Sequence, residues 1–173
     1  MSLEYIRGVQ DQVDRNEVIS MLRSALADEL NAVHNYWMQA ALVEGYMRDN
    51  ITKELYQHRD EEQGHANMLI DRIVQLGGNP DIRPIQWDQI SGCDYAPIIN
   101  VDQKIILDSA VQGEKCAVMH YTKISQFLER KDITTYDIVM KIIEDEYTHI
   151  RDLTKLQEML LSQREKEEVA DVR

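Results

Sequence analysis

The chain has few of the residues that interrupt regular structure. Of 173 residues, 7 are Gly and 3 are Pro, which leaves little material for turns and favours long helices. Only 2 are Cys, with no Cys-x-x-Cys spacing, and this excludes a zinc ribbon or a rubredoxin-type site. No apolar run approaches the roughly 18–20 residues a membrane span needs. The opening Met1-Ser2-Leu3-Glu4 is not a basic stretch followed by an apolar one, so no secretory signal is expected and a cytoplasmic protein is. Basic residues are also short: 19 Lys+Arg against 31 Asp+Glu give a formal net charge of −12. A general nucleic-acid binder needs Lys and Arg to neutralise phosphates, whereas a strongly acidic chain suits the gathering of cations.

What is present is a repeated pattern. Glu62-Gln63-Gly64-His65 and Glu146-Tyr147-Thr148-His149 share a Glu-x-x-His spacing. Each is preceded by a lone glutamate with a tyrosine seven residues on: Glu29 with Tyr36, and Glu114 with Tyr121. The interval from lone Glu to motif Glu is 33 residues in the first half and 32 in the second. Residues i and i+3 share a helix face, so each Glu-x-x-His aims a carboxylate and an imidazole into one space. Random placement of 5 His among this many Glu gives less than one such pair on average. Both pairs also fall on apolar helical stripes, where an unpaired carboxylate is costly.

Those stripes predict four long helices, at about 16–46, 51–76, 102–129 and 134–161, within a single domain covering 1–173. Residues 1–13 read as a short helix or arm, and Asp14-Arg15-Asn16-Glu17 as a capping box for the first long helix. The stripes run Leu22, Leu26, Glu29, Val33, Tyr36, Ala40, Val43; then Leu55, His58, Glu62, His65, Leu69, Ile73, Leu76. In the second half they run Leu107, Ala110, Glu114, Ala117, Tyr121, Ile124, Leu128; then Val139, Ile142, Glu146, His149, Leu153, Leu156, Leu160. Arg48-Asp49-Asn50 and Arg130-Lys131-Asp132 read as tight turns, and Gly77-Gly78 with Pro80 as a helix stop. Residues 79–101 hold all three prolines and read as a crossover along the bundle, with room for a short helix near Pro84–Ile90. The tail 162–173 is charged and expected to fray. His58, one turn before Glu62 on the same face, is expected to be a partly exposed histidine, with an outer-shell or entry residue as the alternative, and His34 and His120, off the stripes, structural.

Two short-loop helix pairs joined by one long crossover form an all-α, ferritin-like four-helix bundle. Four carboxylates and two imidazoles facing its core are the ligand set of di-iron and di-manganese bundles of that class. Leu26 to Trp37, and Glu62 to Pro80 with His65-Ala66-Asn67-Met68-Leu69-Ile70 and Leu76-Gly77-Gly78, resemble bacterioferritin. The resemblance implies a ligand set of Glu29, Glu62, His65, Glu114, Glu146 and His149 for two iron ions per subunit, and leaves open which carboxylates bridge. Tyr36 and Tyr121 match tyrosines that hydrogen-bond ligand carboxylates, and Asp145 a carboxylate that orients a ligand histidine. Where bacterioferritin carries its haem-ligating Met, this chain has Gln63, so no haem is expected. Cys93 in the crossover and Cys116, two residues after Glu114, are similar to the cysteine pair of Dps-like thioferritins, which implies a nearby, redox-active pair. No apolar fifth helix follows the fourth, which favours a hollow dodecamer over a 24-subunit shell.

The function implied is a ferroxidase and iron-storage protein that oxidises Fe(II) with peroxide or oxygen and protects against oxidative stress. The ligand types suit manganese as well as iron, so a di-manganese or di-iron peroxidase or catalase is the enzyme alternative. A DNA-coating protein of the Dps type is the other, disfavoured by the acidic charge and the lack of a Lys-rich arm.

Overall fold

The computed structural model describes residues 14–94 and 97–171, with side chains described as far as residue 163. The arm expected over residues 1–13 lies outside the described residues. Among the described residues five α-helices follow one another: α1 (Arg15–Leu42), α2 (Arg48–Gln75), α3 (Trp87–Ile90), α4 (Gln103–Leu128) and α5 (Ile133–Asp171), with a 3₁₀ turn at Pro84–Gln86 running into α3. The four long ones form the bundle, and the crossover from α2 to α4 carries the short α3. No helix among the described residues is long and apolar enough to cross a membrane.

The helix limits differ from the periodicity in two places. α1 stops at Leu42, not at about residue 46, although the apolar stripe continues and both Val43 and Met47 are buried. The reason is Gly45, which takes φ +134° and opens a turn that Gln103 fills: its Oε1 accepts from the Met47 N–H at 3.0 Å. Glu44 meanwhile pairs through its backbone with the strand-like entry to α4 (Glu44 N–H to Val101 O, 2.8 Å; Gln103 N–H to Glu44 O, 3.1 Å). Arg48-Asp49-Asn50, expected as the turn, is therefore the first turn of α2, where Asp49 suits the positive helix end. At the other end, α5 runs on to Asp171 through the tail expected to fray. Residues 162–171 are rich in Glu, Lys, Gln and Arg, hold no Gly or Pro to stop a helix, and so propagate the one already formed.

Helix starts follow capping chemistry. Asp14 accepts from the Asn16 N–H at the head of α1 (2.9 Å), and Asp102 from the Lys104 N–H at the head of α4 (2.8 Å). The core is in two blocks. One gathers Leu22, Leu26, Leu69, Ile73, Ile124, Leu128, Val139 and Ile142; the other gathers Ala40, Ile51, Leu55, Leu107, Leu153, Leu156 and Leu160. Along each of the four long helices the Glu and His of the repeated pattern fall between these blocks. The two apolar plugs thus enclose one buried polar layer.

Candidate metal centre

Glu29, Glu62, His65, Glu114, Glu146 and His149 all lie in this layer, each at most 4% exposed. α1 and α4 cross antiparallel here: Tyr36 donates to Glu114 and Tyr121 donates to Glu29. α2 and α5 do the same, each bringing its Glu-x-x-His. The six residues form two overlapping ligand groups. Glu29, Glu62, His65 and Glu146 make one, and Glu62, Glu114, Glu146 and His149 make the other, with donor atoms in each group within 4.8 Å of one another. Glu62 and Glu146 belong to both, so a pair of cations held by these groups would share the glutamates of the two motifs. Each lone glutamate closes one side.

The imidazoles present Nδ1 inward. His65 Nδ1 lies 2.9 Å from Glu62, 3.2 Å from Glu146 and 3.6 Å from Glu29. His149 Nδ1 lies 3.1 Å from Glu146, 3.2 Å from Glu62 and 3.6 Å from Glu114. Outward, His65 Nε2 meets Asp145 at 3.2 Å and His149 Nε2 meets Glu61 at 2.7 Å. Asp145 was singled out from the sequence; Glu61 was not. Its signal was available, because Glu61-Glu62 stands to His65 as Asp145-Glu146 stands to His149. An Nε2–H donated to an outer carboxylate leaves the Nδ1 lone pair for a cation.

Electrostatics show what four acids in one core cost. Burial, then repulsion from Glu62, pushes Glu29 well above the ordinary carboxylate range. Burial, then Glu146, does the same to Glu114. Burial opposes ionisation of Glu62 too, but hydrogen bonds from His149 and His65 hold it below the usual range. Both imidazoles are pushed up despite burial, His65 through hydrogen bonds with Glu146, Glu29 and Glu62, and His149 through Glu114, Glu146 and Glu62. Protons therefore balance the charge wherever a cation does not. One carboxylate oxygen, Glu146 Oε1, is buried with the His65 ring nitrogen 3.2 Å away but no well-aligned hydrogen bond. Close oxygen and nitrogen donors in two overlapping groups fit a pair of divalent transition-metal ions.

Around this layer, a cavity of about 80 Å³ between α1 and α4 is lined by Glu29, Glu62, Glu114 and Glu146, with Cys93 and Asp94 of the crossover. Cys93 is joined to Cys116 by a disulfide, Cα–Cα 5.9 Å. The crossover is held there by Asp28, which accepts from the Cys93 N–H at 3.0 Å and meets His120 Nδ1 at 2.5 Å. His34 lies on the surface. His58, expected partly exposed, is instead 1% exposed, because its ring stacks on that of His149 with centroids 4.1 Å apart. Burial, and then the charge of His149, lowers its pKa to about 4.

Comparison with known proteins bears on the family and the fold. The model of the ferritin-like domain matches residues 19–161. A bacterioferritin from Rhodobacter capsulatus is 29% identical over 136 residues, covering 78% of this chain and 78% of that protein. A "DNA protection during starvation protein" from Pyrococcus furiosus is 28% identical over 144 residues, covering 79% and 75% respectively. Among solved structures, a dodecameric thioferritin, the bacterioferritin-related protein from Bacteroides fragilis, superposes with a TM-score of 0.89 at 33% identity, covering 95% of this chain and 98% of that one. With a helical bundle, a buried layer of four glutamates and two histidines, and a family match spanning all four long helices, the chain belongs to the ferritin-like domain family.

Proposed function

We propose that the chain is a ferroxidase and iron-storage protein that takes Fe(II) as substrate at the paired positions bounded by Glu29, Glu62, His65, Glu114, Glu146 and His149. The observation that carries this reading is the sharing of Glu62 and Glu146 between two ligand groups. Two adjacent Fe(II) ions each give up one electron, which matches a two-electron oxidant: 2 Fe(II) + H₂O₂ + 2 H⁺ give 2 Fe(III) + 2 H₂O. Oxygen is the other oxidant the reading admits.

The chain's own part is to bind, orient and shield. Carboxylates supply the negative charge that Fe(III) requires. Tyr36 and Tyr121 hold Glu114 and Glu29 in place. Asp145 and Glu61 fix the imidazoles with Nδ1 inward. Protons on His65, His149, Glu29 and Glu114 leave as cations enter. The cavity beside the four glutamates has room for a small oxidant, since a water needs only about 10–15 Å³ of such space. Cys93, which lines the cavity, and its disulfide partner Cys116 serve as a redox pair, closing to a disulfide as peroxide is reduced to water (2 RSH + H₂O₂ give RSSR + 2 H₂O).

The product passes to the interior of a homo-oligomeric shell, and the similarity to a dodecameric thioferritin supports a dodecamer. A cytoplasmic role against oxidative stress follows from the same reading. The net charge of −12 opposes DNA coating. Stopped-flow Fe(II) oxidation with peroxide and with oxygen, alongside native mass, tests it. Fast oxidation by a particle of about twelve subunits is expected. Slow oxidation by a folded, iron-loaded protein contradicts it, and metal analysis returning manganese moves the reading to a peroxidase.

A further inference from the structure

Outside the six-residue layer lies a second gathering of ligand-type side chains. Glu54 and His58 sit one turn apart on α2, and Asp152 lies one turn beyond His149 on α5. Their donor atoms fall within 4.8 Å of one another. Glu54 and Asp152 are partly open to solvent, at 24% and 30% of their side-chain surface, whereas His58 is buried. His58 belongs to two groups at once, because it also lies within 4.8 Å of donors on Glu114 and His149. It thus stands between the solvent-facing acids and one half of the buried centre.

The bonding of His58 is incomplete. Its Nε2 is 3.4 Å from Glu54 Oε1, and its Nδ1 is buried with no hydrogen-bond partner. A histidine serving only as core packing satisfies its ring nitrogens, and an orphaned polar atom in the interior is destabilising. Stacking on His149 holds the ring in this position. The competing contacts of the acids are weak: the exposed Arg151 reaches Asp152 at 3.3 Å from the neighbouring position in the chain, where a divalent cation displaces it.

We propose that Glu54, His58 and Asp152 form a third divalent-cation site, one step outside the paired centre, which holds a cation on its way to the Glu114–His149 position. One imidazole and two carboxylates suit Fe(II), Mn(II), Co(II) or Zn(II). The delivery role rests on the ferroxidase reading; the binding claim stands on these three residues. The negative charge of Glu54 and Asp152 at a low-dielectric rim concentrates cations there and speeds their entry.

Anaerobic Co(II) titration of the assembled protein tests both parts. The wild type binds three ions per chain, the third more weakly. The double variant Glu54→Gln/Asp152→Asn binds two, and stopped-flow loading of those two is slower by about tenfold, the low end of what a focused field adds to an on-rate. A wild type that saturates at two ions overturns the third site and leaves the paired centre standing. One that saturates below two overturns the paired centre itself. A double variant that still binds three, or that loads as fast as the wild type, overturns the proposal.

Discussion

Neutralising the outer carboxylate behind each histidine is expected to weaken one metal position at a time. His149 Nε2 meets Glu61 at 2.7 Å, and His65 Nε2 meets Asp145 at 3.2 Å, where Lys141 also draws on the same oxygen at 3.3 Å. Glu61→Gln and Asp145→Asn keep an oxygen that can accept the Nε2–H, so the rings stay in place while the charge that strengthens Nδ1 is lost. Loss of such an orienting carboxylate costs about 10–100-fold in metal affinity, or roughly 1.4–2.7 kcal/mol. The shorter, less shared contact puts Glu61→Gln toward the upper end and Asp145→Asn toward the lower. Both acids are partly exposed, at 43% and 38%, so the folded state without metal should lose less than about 1 kcal/mol. The assay is anaerobic Co(II) titration of the two tightest steps, with urea unfolding of the metal-free protein as control. Glu61→Gln weakens the position of Glu114 and His149, Asp145→Asn that of Glu29 and His65, and the double variant weakens both. Two steps within twofold of wild type in Glu61→Gln would refute the orienting role.

Three further outcomes are expected. Arg72→Met removes a buried guanidinium that grips both oxygens of Asp132 (3.0 and 2.9 Å) and Thr135 Oγ1 (2.7 Å); stranding one partner of such a pair costs about 3 kcal/mol, and a loss under 1 kcal/mol in urea contradicts this. Burial opposes ionisation of Asp132, but hydrogen bonds from Thr135 and Arg72 hold its pKa down in the fold, so its stabilisation is present above its unfolded pKa of about 3.9 and is lost as pH falls through the lowered folded value; urea midpoints of the variant should show less of that acid loss. Gly45→Ala forces a side chain onto φ +134° and into Gln103, costing about 2 kcal/mol, checked by thermal melting against a Gly64→Ala control in open space. Purified protein should show no haem absorption band, because Gln63 stands where bacterioferritin, which the chain resembles, carries its haem-ligating Met; a stoichiometric haem with thioether ligation counts against that reading.

The six charged residues of the polar layer were legible because helical period and burial act together: a Glu or His on an apolar stripe must face its counterparts once four such stripes close on one another. Tyr36 and Tyr121 were assigned to ligand carboxylates by the resemblance to bacterioferritin and not by the stripes, and the fold pairs them with Glu114 and Glu29. What the stripes could not convey were features decided between helices. Glu61 lies beside the stripe, and only its antiparallel neighbour His149 gives it a role. His58 sits on the stripe, but a ring on a partner helix decides that it is buried. α1 ends early because Gln103, more than fifty residues away, needs the space that Gly45 leaves. α5 runs long for the opposite reason, since with nothing to stop a charged helix its own propensity carries it on.

Anaerobic Fe(II) mixed with limiting peroxide tests the central claim most directly, with iron oxidised per peroxide as the readout, in the wild type and in Glu62→Ala. Glu62 is shared by both ligand groups, so its loss should disrupt the pair while helix content is unchanged. The account predicts two Fe(III) per peroxide, no hydroxyl-radical adduct in a spin trap, and no fast phase in Glu62→Ala. One Fe(III) per peroxide with radical adducts, or a wild-type rate in folded Glu62→Ala, would contradict it.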